Sequence, residues 1–406
     1  MLNAATLTRS PAVDRARKIL RERDAETLAA MVELAQIPAP PFGEAARAER
    51  VRRWFRDLGL ADVALDEAGN VLARLPSPSG GAAAPPDRAP ILVAAHLDTI
   101  FPPGTDVSVR DVGGRLVGPG IADNARGLAA MLAIARALVE AAPSLRRPVV
   151  FVATVGEEGV GDLRGVKHLF RDGSPWRRAA GFIALDGTGA RRIVNRALGS
   201  LRYRVTIEGS GGHSWADWGR PNPVHALGRA IAALASLELP RRPRTTLNVG
   251  RIEGGTAVNA IPTRAWLEVD LRSEGAGALA ELDARVLRAV ERAVAEASDR
   301  RRRGTAALEL EIERIGDRPS GETPASSPIV AAARSATRLI GEVPELAASS
   351  TDANIPIALG IPAIALGAGG RSAGIHTPDE WYENDGGPAG VERALLTLLA
   401  VAGVDG

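Results

Sequence analysis

The stretch Pro90 to Asp98, P-I-L-V-A-A-H-L-D, limits what this chain can fold into more than any other. Ile91 to Ala95 are five apolar residues without alternation, which predicts a strand buried on both faces of a sheet. The run stops at His96-Leu97-Asp98, so an imidazole and a carboxylate emerge where the strand ends. In open α/β sheets that end is where ligands bind. Two positions apart on extended backbone, the two side chains point the same way. One can then hold a metal while the other orients its ring from behind.

At 406 residues the chain exceeds the size at which one core keeps growing, which predicts two domains. An apolar fraction of 45% and a charged fraction of 24% belong to a globular protein rather than a disordered one. The net charge is only +2. The densest basic run, Asp299 to Arg303, follows a helical pattern and reads as a solvated helix end, so no nucleic-acid partner is expected. No apolar run is long enough to cross a bilayer, and M-L-N-A-A-T-L-T-R-S lacks the charged leader and apolar core of a signal peptide. The expectation is a cytoplasmic protein with no membrane partner. With no cysteine, any metal must be held by His and carboxylate.

Along the chain, Val13 to Gln36 and Gly43 to Leu60 carry helical periodicity, and short strands are expected around Val63 and Val71-Leu72. Ser77 to Pro90 reads as an exposed loop. A long connection leads to G-P-G-I-A-D-N-A-R-G (Gly118 to Gly127) and a helix over Gly127 to Glu140. Two more buried strands follow, Val149 to Val155 ending in Gly156-Glu157-Glu158-Gly159, and Gly181 to Leu185 ending in Asp186-Gly187. Three such strands outline a site at one rim of a mostly parallel sheet.

The pattern changes near Leu198. Alternating strands at Leu201 to Glu208, Thr245 to Ile252 and Ala265 to Arg272 accompany helices at Val224 to Leu237 and Glu281 to Ala297. They predict an inserted sandwich of helices on an antiparallel sheet. Buried runs return after Pro319, with a helix over Ser326 to Ile340, short apolar pieces at Ile355 to Leu359 and Ala363-Ile364, and a terminal helix over Val391 to Val401. The expected domains are residues 1–197 and 317–406 for the α/β part, with 198–316 inserted.

The candidates for chemistry are His96, Asp98, Asp123, Glu157, Glu158, Asp186 and His376. Taken singly, a His is commonly a structural side chain and a Glu-Glu pair a surface charge. Position separates these residues, because His96, Glu157-Glu158 and Asp186 follow buried runs, where carboxylates without a cation are costly. Two His and three carboxylates suffice for two zinc ions sharing one bridging carboxylate, with one acid left as general base on a water. Amide hydrolysis is the natural reaction of such a site.

The ordered segments H-L-D, G-P-G-I-A-D-N-A-R-G, G-E-E-G, A-L-D-G and G-I-H-T-P-D-E-W resemble the dinuclear-zinc exopeptidase and deacylase family. That family includes peptidase T, carboxypeptidase G, aminoacylase and succinyl-diaminopimelate desuccinylase. The resemblance covers nearly the whole chain, and S-T-D-A-N-I-P is most similar to peptidase T-like members. It implies that His96 and Asp186 hold one metal, Glu158 and His376 the other, and Asp123 bridges them. Asp98 would stand behind His96, and Glu157 would be the general base. The inserted segment resembles a lid and dimerisation domain, implying a homodimer in which His213 stabilises the oxyanion. Asn259 and Arg272 match substrate-contacting residues, Arg272 for a carboxylate, although a plain strand-end charge fits Arg272 equally. Thr351 and Asn354 either line the substrate pocket or cap a turn. His168 and His225 match no motif.

The leading expectation is a metallo-exopeptidase of the aminopeptidase, dipeptidase or tripeptidase kind. An N-acyl-amino-acid amidohydrolase would use the same site on an acylated amino acid. A non-catalytic dimeric binding protein is the reading from another class, and it has no use for Glu157. Manganese or cobalt suits the same ligands as zinc.

Overall fold

The computed structural model describes residues 10–76 and 88–404. Most of the loop expected at Ser77 to Pro90 therefore lies outside the described residues. The chain forms two compact units, Leu198–Gly321 and the remainder on either side of it.

The first unit is a mixed α/β structure on a mainly parallel central sheet. The strand Ile91–His96 runs parallel between Val149–Thr154 and Gly181–Leu185, and Ala363–Leu366 adds in parallel beyond the latter. Ala61–Leu65 and Val71–Arg74 extend one side antiparallel. Arg192–Ala197 meets Ala363–Leu366 antiparallel on the other and pairs in parallel with Glu345–Ser349. Both faces of the sheet are covered, which is why the strand runs do not alternate. Ile91, Val93 and Ala95 pack with Leu20, Leu128 and Leu395 on one side, while Leu92 and Ala94 pack with Val166, Phe170 and Ile357 on the other. Each such residue stabilises the unit by about 1.5–3 kcal/mol relative to exposure. The register places His96 beside Thr154, so the chain ends at Asp98, Glu157-Glu158 and Asp186 gather along one rim.

The structure corrects several expectations. The long first helix is two, Pro11–Glu22 and Asp24–Ala35, broken where Arg23 leaves helical geometry at φ −107°, ψ 24°. The apolar piece Ile355 to Leu359 belongs to a short helix, Asn354–Ala358. The long connection after Asp98 contains a small antiparallel sheet, in which Arg110–Val112 and Arg115–Val117 join Trp381–Glu383 and Arg371–Ala373. The loop of that last hairpin carries His376.

In the second unit, four antiparallel strands lie in the order Thr245–Gly254, Arg264–Ser273, Gly199–Glu208, Glu309–Arg318. One face packs Tyr203, Val205, Leu267 and Val269 against Leu227, Val286 and Val290 of the helices Pro223–Ala235 and Ala276–Asp299. The fourth strand has no counterpart in the sequence reading and runs across residue 316, so the unit closes at Gly321. Among the described residues no helix is long and apolar enough to cross a membrane.

Gly127 sets how closely the helix Arg126–Ala141 approaches the Asp186 strand. A Cβ there would stand 2.2 Å from Asn124 Oδ1 and 2.4 Å from the Leu185 carbonyl oxygen. Neither neighbour is free to move, because Asn124 donates from Nδ2 to that same carbonyl at 2.9 Å and accepts the Gly127 N–H at 3.1 Å. Helix propensity alone would favour alanine by at most about 1 kcal/mol, whereas overpacking costs about 1–3 kcal/mol or more. Gly127→Ala is therefore expected to lower the melting temperature by a few degrees. Calorimetry showing an equal or higher melting temperature would contradict this packing account.

Candidate metal centre

Asp123 stands between the two histidines. Its Oδ1 lies 3.0 Å from His96 Nε2, and its Oδ2 lies 3.2 Å from His376 Nε2. The turn Ile121–Ala125 that carries it interrupts helical geometry at Asp123 (φ −121°, ψ 91°) before the long helix begins. His376 Nε2 also lies 2.9 Å from Glu158 Oε1, and His96 Nε2 lies 3.9 Å from Asp186 Oδ1. His376 itself has φ +68°, a left-handed conformation uncommon for a residue with a Cβ.

Donor atoms of His96, Asp123 and Asp186 all fall within 4.8 Å of one another, as do those of Asp123, Glu158 and His376. The two sets share only Asp123. A third set, His96 with Glu157 and Glu158, overlaps both. The structure thus brings together all six residues singled out as ligands or base. The donors are imidazole nitrogens and carboxylate oxygens at spacings suited to divalent ions, so the residues fit a pair of metals.

The electrostatics agree. Burial opposes charge on His96, yet its bonds to Asp123 and Asp98 outweigh this and hold its pKa well above the ordinary value. The bonds to Asp123 and Glu158 raise His376 to about 10. Burial raises Asp123, but the bonds from His376 and His96 more than reverse this and hold it well below the carboxylate range. Burial, with the negative charge of Asp123 added, pushes Asp186 up to about 7. Carboxylates outnumber imidazoles here, and cations would relieve the repulsion that raises Asp186.

Asp98 is fully buried and does more than orient His96. The imidazole Nδ1 lies 3.0 Å from the Asp98 carbonyl oxygen and 3.6 Å from the carboxylate. A proton on Nδ1 shared with that carbonyl leaves Nε2 to face Asp123. The carboxylate accepts the backbone N–H of Glu157 at 2.9 Å and of Glu158 at 2.7 Å. It therefore anchors the loop that supplies both glutamates.

Of the residues expected to touch substrate, His213, Asn259 and Arg272 belong to the second unit. His213 is exposed, and its Nδ1 accepts the N–H groups of Trp215 and Ala216 at 3.2 and 3.4 Å. Asn259 is exposed, and Arg272 Nε donates to Asp270 at 2.7 Å. Thr351 and Asn354 show the turn bonding that was one of their two expected roles. Both are buried, and they bond within their own turn, Asn354 Oδ1 accepting the Thr351 N–H and Thr351 Oγ1 the Ala353 N–H. They cap the chain.

Three residues near the cluster escaped the sequence reading as site residues. The Arg47 guanidinium is fully buried and donates to the Leu97 carbonyl at 2.7 Å and the Ile37 carbonyl at 2.6 Å, bracing the backbone between His96 and Asp98. Burial lowers its pKa to about 10, against the pull of Asp98. Asp352, buried, accepts the Thr154 hydroxyl and adds to the repulsion on Asp186. Glu380 is fully buried, and burial raises its carboxyl to about 7. Glu380 and Asp352 lie inside segments already picked out by motif; Arg47 carries no signal beyond its place in an arginine-rich helix.

A family model described as peptidase family M20/M25/M40 matches residues 92–400. The succinyl-diaminopimelate desuccinylase of Corynebacterium glutamicum is 29% identical over 246 residues, 59% of this chain and 64% of that enzyme. The match thus spans somewhat less than two thirds of that relative. The solved structure of aminopeptidase PepT from Bacillus cereus is 26% identical with a TM-score of 0.72, covering 93% of this chain and 98% of that one. The YXEP protein of Bacillus subtilis, described as a dinuclear metal binding peptidase, shares the fold at 16% identity and a TM-score of 0.65, covering 94% and 98%.

The Asp98 anchor has a direct readout. Asp98→Ala would leave the buried Glu157 and Glu158 amides without their acceptor, at a cost of roughly 1–3 kcal/mol each. Native-state hydrogen exchange at these two amides is expected to accelerate by about tenfold or more. Unchanged protection would show that the loop holds its shape without Asp98.

Proposed function

The chain belongs to peptidase family M20/M25/M40 and is a hydrolase, and we propose that it cleaves an amide bond of small peptides, as an aminopeptidase, dipeptidase or tripeptidase. The observation that carries this reading is Asp123, whose two oxygens face two different imidazoles, each with a further carboxylate beside it. In this reading His96, Asp123 and Asp186 hold one divalent ion, and Asp123, Glu158 and His376 hold the other. Zinc is favoured, with manganese and cobalt suited to the same donors. Such a pair, when bound, supplies Lewis-acid polarisation of the scissile carbonyl and acidifies water.

The remaining chemistry falls to the chain. Glu157, buried beside His96 and Glu158, takes a proton from the attacking water and passes it to the departing amine nitrogen. Asp98 keeps Glu157 in reach through the backbone. His213, whose Nδ1 accepts backbone N–H groups, retains its proton on Nε2 as a donor to the developing oxyanion. We assign it to act from a second copy of the chain, in a homodimer formed through the Leu198–Gly321 unit. Asn259 and Arg272 of that unit contact the substrate, Arg272 through guanidinium nitrogens beyond the one given to Asp270.

The likeness to a desuccinylase supports a second reading, an N-acyl-amino-acid amidohydrolase using the same site. A panel of di- and tripeptides and N-acyl amino acids, assayed with added zinc, manganese or cobalt, separates the two. Release of a free N-terminal residue from the peptides is expected; turnover of N-acyl substrates alone would leave the second reading standing.

Glu157→Ala is expected to reduce kcat by about 10²–10⁴ while bound metal, measured by elemental analysis, stays at the wild-type amount. Retained turnover would remove Glu157 from the base role. Dialysis against a strong chelator is expected to abolish activity, with recovery on adding back a divalent ion; full activity after verified metal removal would refute a metal-dependent site.

A further inference from the structure

Glu380 has no ion-pair partner among the described residues, yet the residue is fully buried, with 0% of its surface exposed. Carboxylates are rarely placed so unless strong donors replace water. Here the donors are all backbone. Oε1 accepts the N–H of Ala122 at 2.8 Å and of Asp123 at 2.9 Å, and Oε2 accepts that of Gly120 at 3.3 Å. The Glu380 carbonyl oxygen accepts the Gly118 N–H at 2.8 Å. The next residue, Trp381, pairs with Val117 in the small antiparallel sheet. One residue of the His376 hairpin therefore gathers four N–H groups of the segment that delivers Asp123.

The local sequence allows this convergence. Gly120 has φ +72°, and a Cβ there would stand 2.5 Å from Thr99 Cγ2. That turn aims successive N–H groups inward, a concavity that binds anions in many proteins. Here the anion is a side chain of the same chain. Glu380 is not among the groups whose donor atoms converge for a metal, so it is no ligand. It stands behind the ligand.

We propose that Glu380 is a positioning residue that locks the Asp123 turn onto the His376 hairpin, so that Asp123 presents one oxygen to each metal position. This rests on the reading of Asp123 and His376 as metal ligands. The lock works through geometry: without it, the backbone of the Asp123 turn is tied to the His376 hairpin by the short ladder and the Gly118 bond, and the side-chain contact of Asp123 with His376 is left to hold its own alignment. Outer partners of this kind typically change metal affinity by about 10–100-fold when removed.

The test uses the full chain, stripped of metal and titrated with zinc against a chromophoric chelator, in wild type, Glu380→Gln, Glu380→Ala and His376→Ala. Glu380→Gln keeps an oxygen for the Ala122 and Asp123 amides but turns an NH₂ toward the Gly120 N–H. It is expected to weaken zinc binding by about tenfold, and Glu380→Ala by about 100-fold. Hydrogen exchange at Ala122 and Asp123 should accelerate in Glu380→Ala. If that variant does not fold, Glu380→Gln, confirmed folded by circular dichroism, decides the matter alone. Zinc affinities equal to wild type in a folded Glu380 variant would overturn the proposal, leaving Glu380 a stability residue. Should His376→Ala also bind zinc like wild type, the metal-site reading itself fails, and the lock with it.

Discussion

The structure around the site depends on one carboxylate being placed between two imidazoles. Asp123 faces both His96 and His376, and neither histidine is near it in sequence. Such a position demands that three segments be held rigidly: the end of a central strand, a turn before a helix, and a hairpin loop. Each is braced by groups that touch no reacting atom. Arg47 holds the strand end, Glu380 ties the turn and the hairpin to each other, and Asp98 fixes the neighbouring loop of Glu157 and Glu158. The bracing is nearly all side chain to backbone, which fixes where a segment lies rather than only what a side chain meets.

The same bracing explains the charge balance. Asp98, Asp123, Glu157, Glu158, Asp186, Asp352 and Glu380 all lie at or next to one rim. Two are tied off by backbone N–H groups, Asp98 and Glu380, and Asp352 accepts a hydroxyl. Asp123, Glu157, Glu158 and Asp186 are left crowded around two imidazoles, where a divalent cation has most to gain. The burial that raises Asp186, with the charge of Asp123 added, is thus the local counterpart of an affinity for cations.

How much of this was legible follows from the kind of signal each feature leaves. Buried parallel strands leave unbroken apolar runs, so the sheet and the residues at its strand ends could be read directly. His376 and Asp123 lie in turns without such a run; they were candidates by residue type, and their metal roles came through resemblance to a family. The strand Glu309–Arg318 was missed although its E-L-E-I-E-R run alternates; at a sheet edge its outward residues are charged, and it follows directly on the arginine-rich end of the preceding helix. The ladder of Val117 with Trp381 joins strands of three residues, too short for any period. Thr351 and Asn354 are ambiguous in principle, since the same side chains cap turns and bind substrates. Arg47 and Glu380 act through bonds to distant backbone, and a bond to backbone is blind to the identity of the residue it reaches.

The interrupted layout of the first unit also has a consequence for biosynthesis. Its parallel sheet needs Ala363–Leu366 beside Gly181–Leu185, with the whole second unit emerging from the ribosome between them. The inserted unit has its own core and is complete in sequence by Gly321, so it can fold while the unit that flanks it still lacks the strands Glu345–Ser349 and Ala363–Leu366 and the helices Pro328–Leu339, Asn354–Ala358 and Gly387–Ala402. His96 must wait for His376. A nascent chain therefore exposes the His96 end of the rim long before the opposing histidine exists, and the two sides of the rim can meet only once residue 376 has been made.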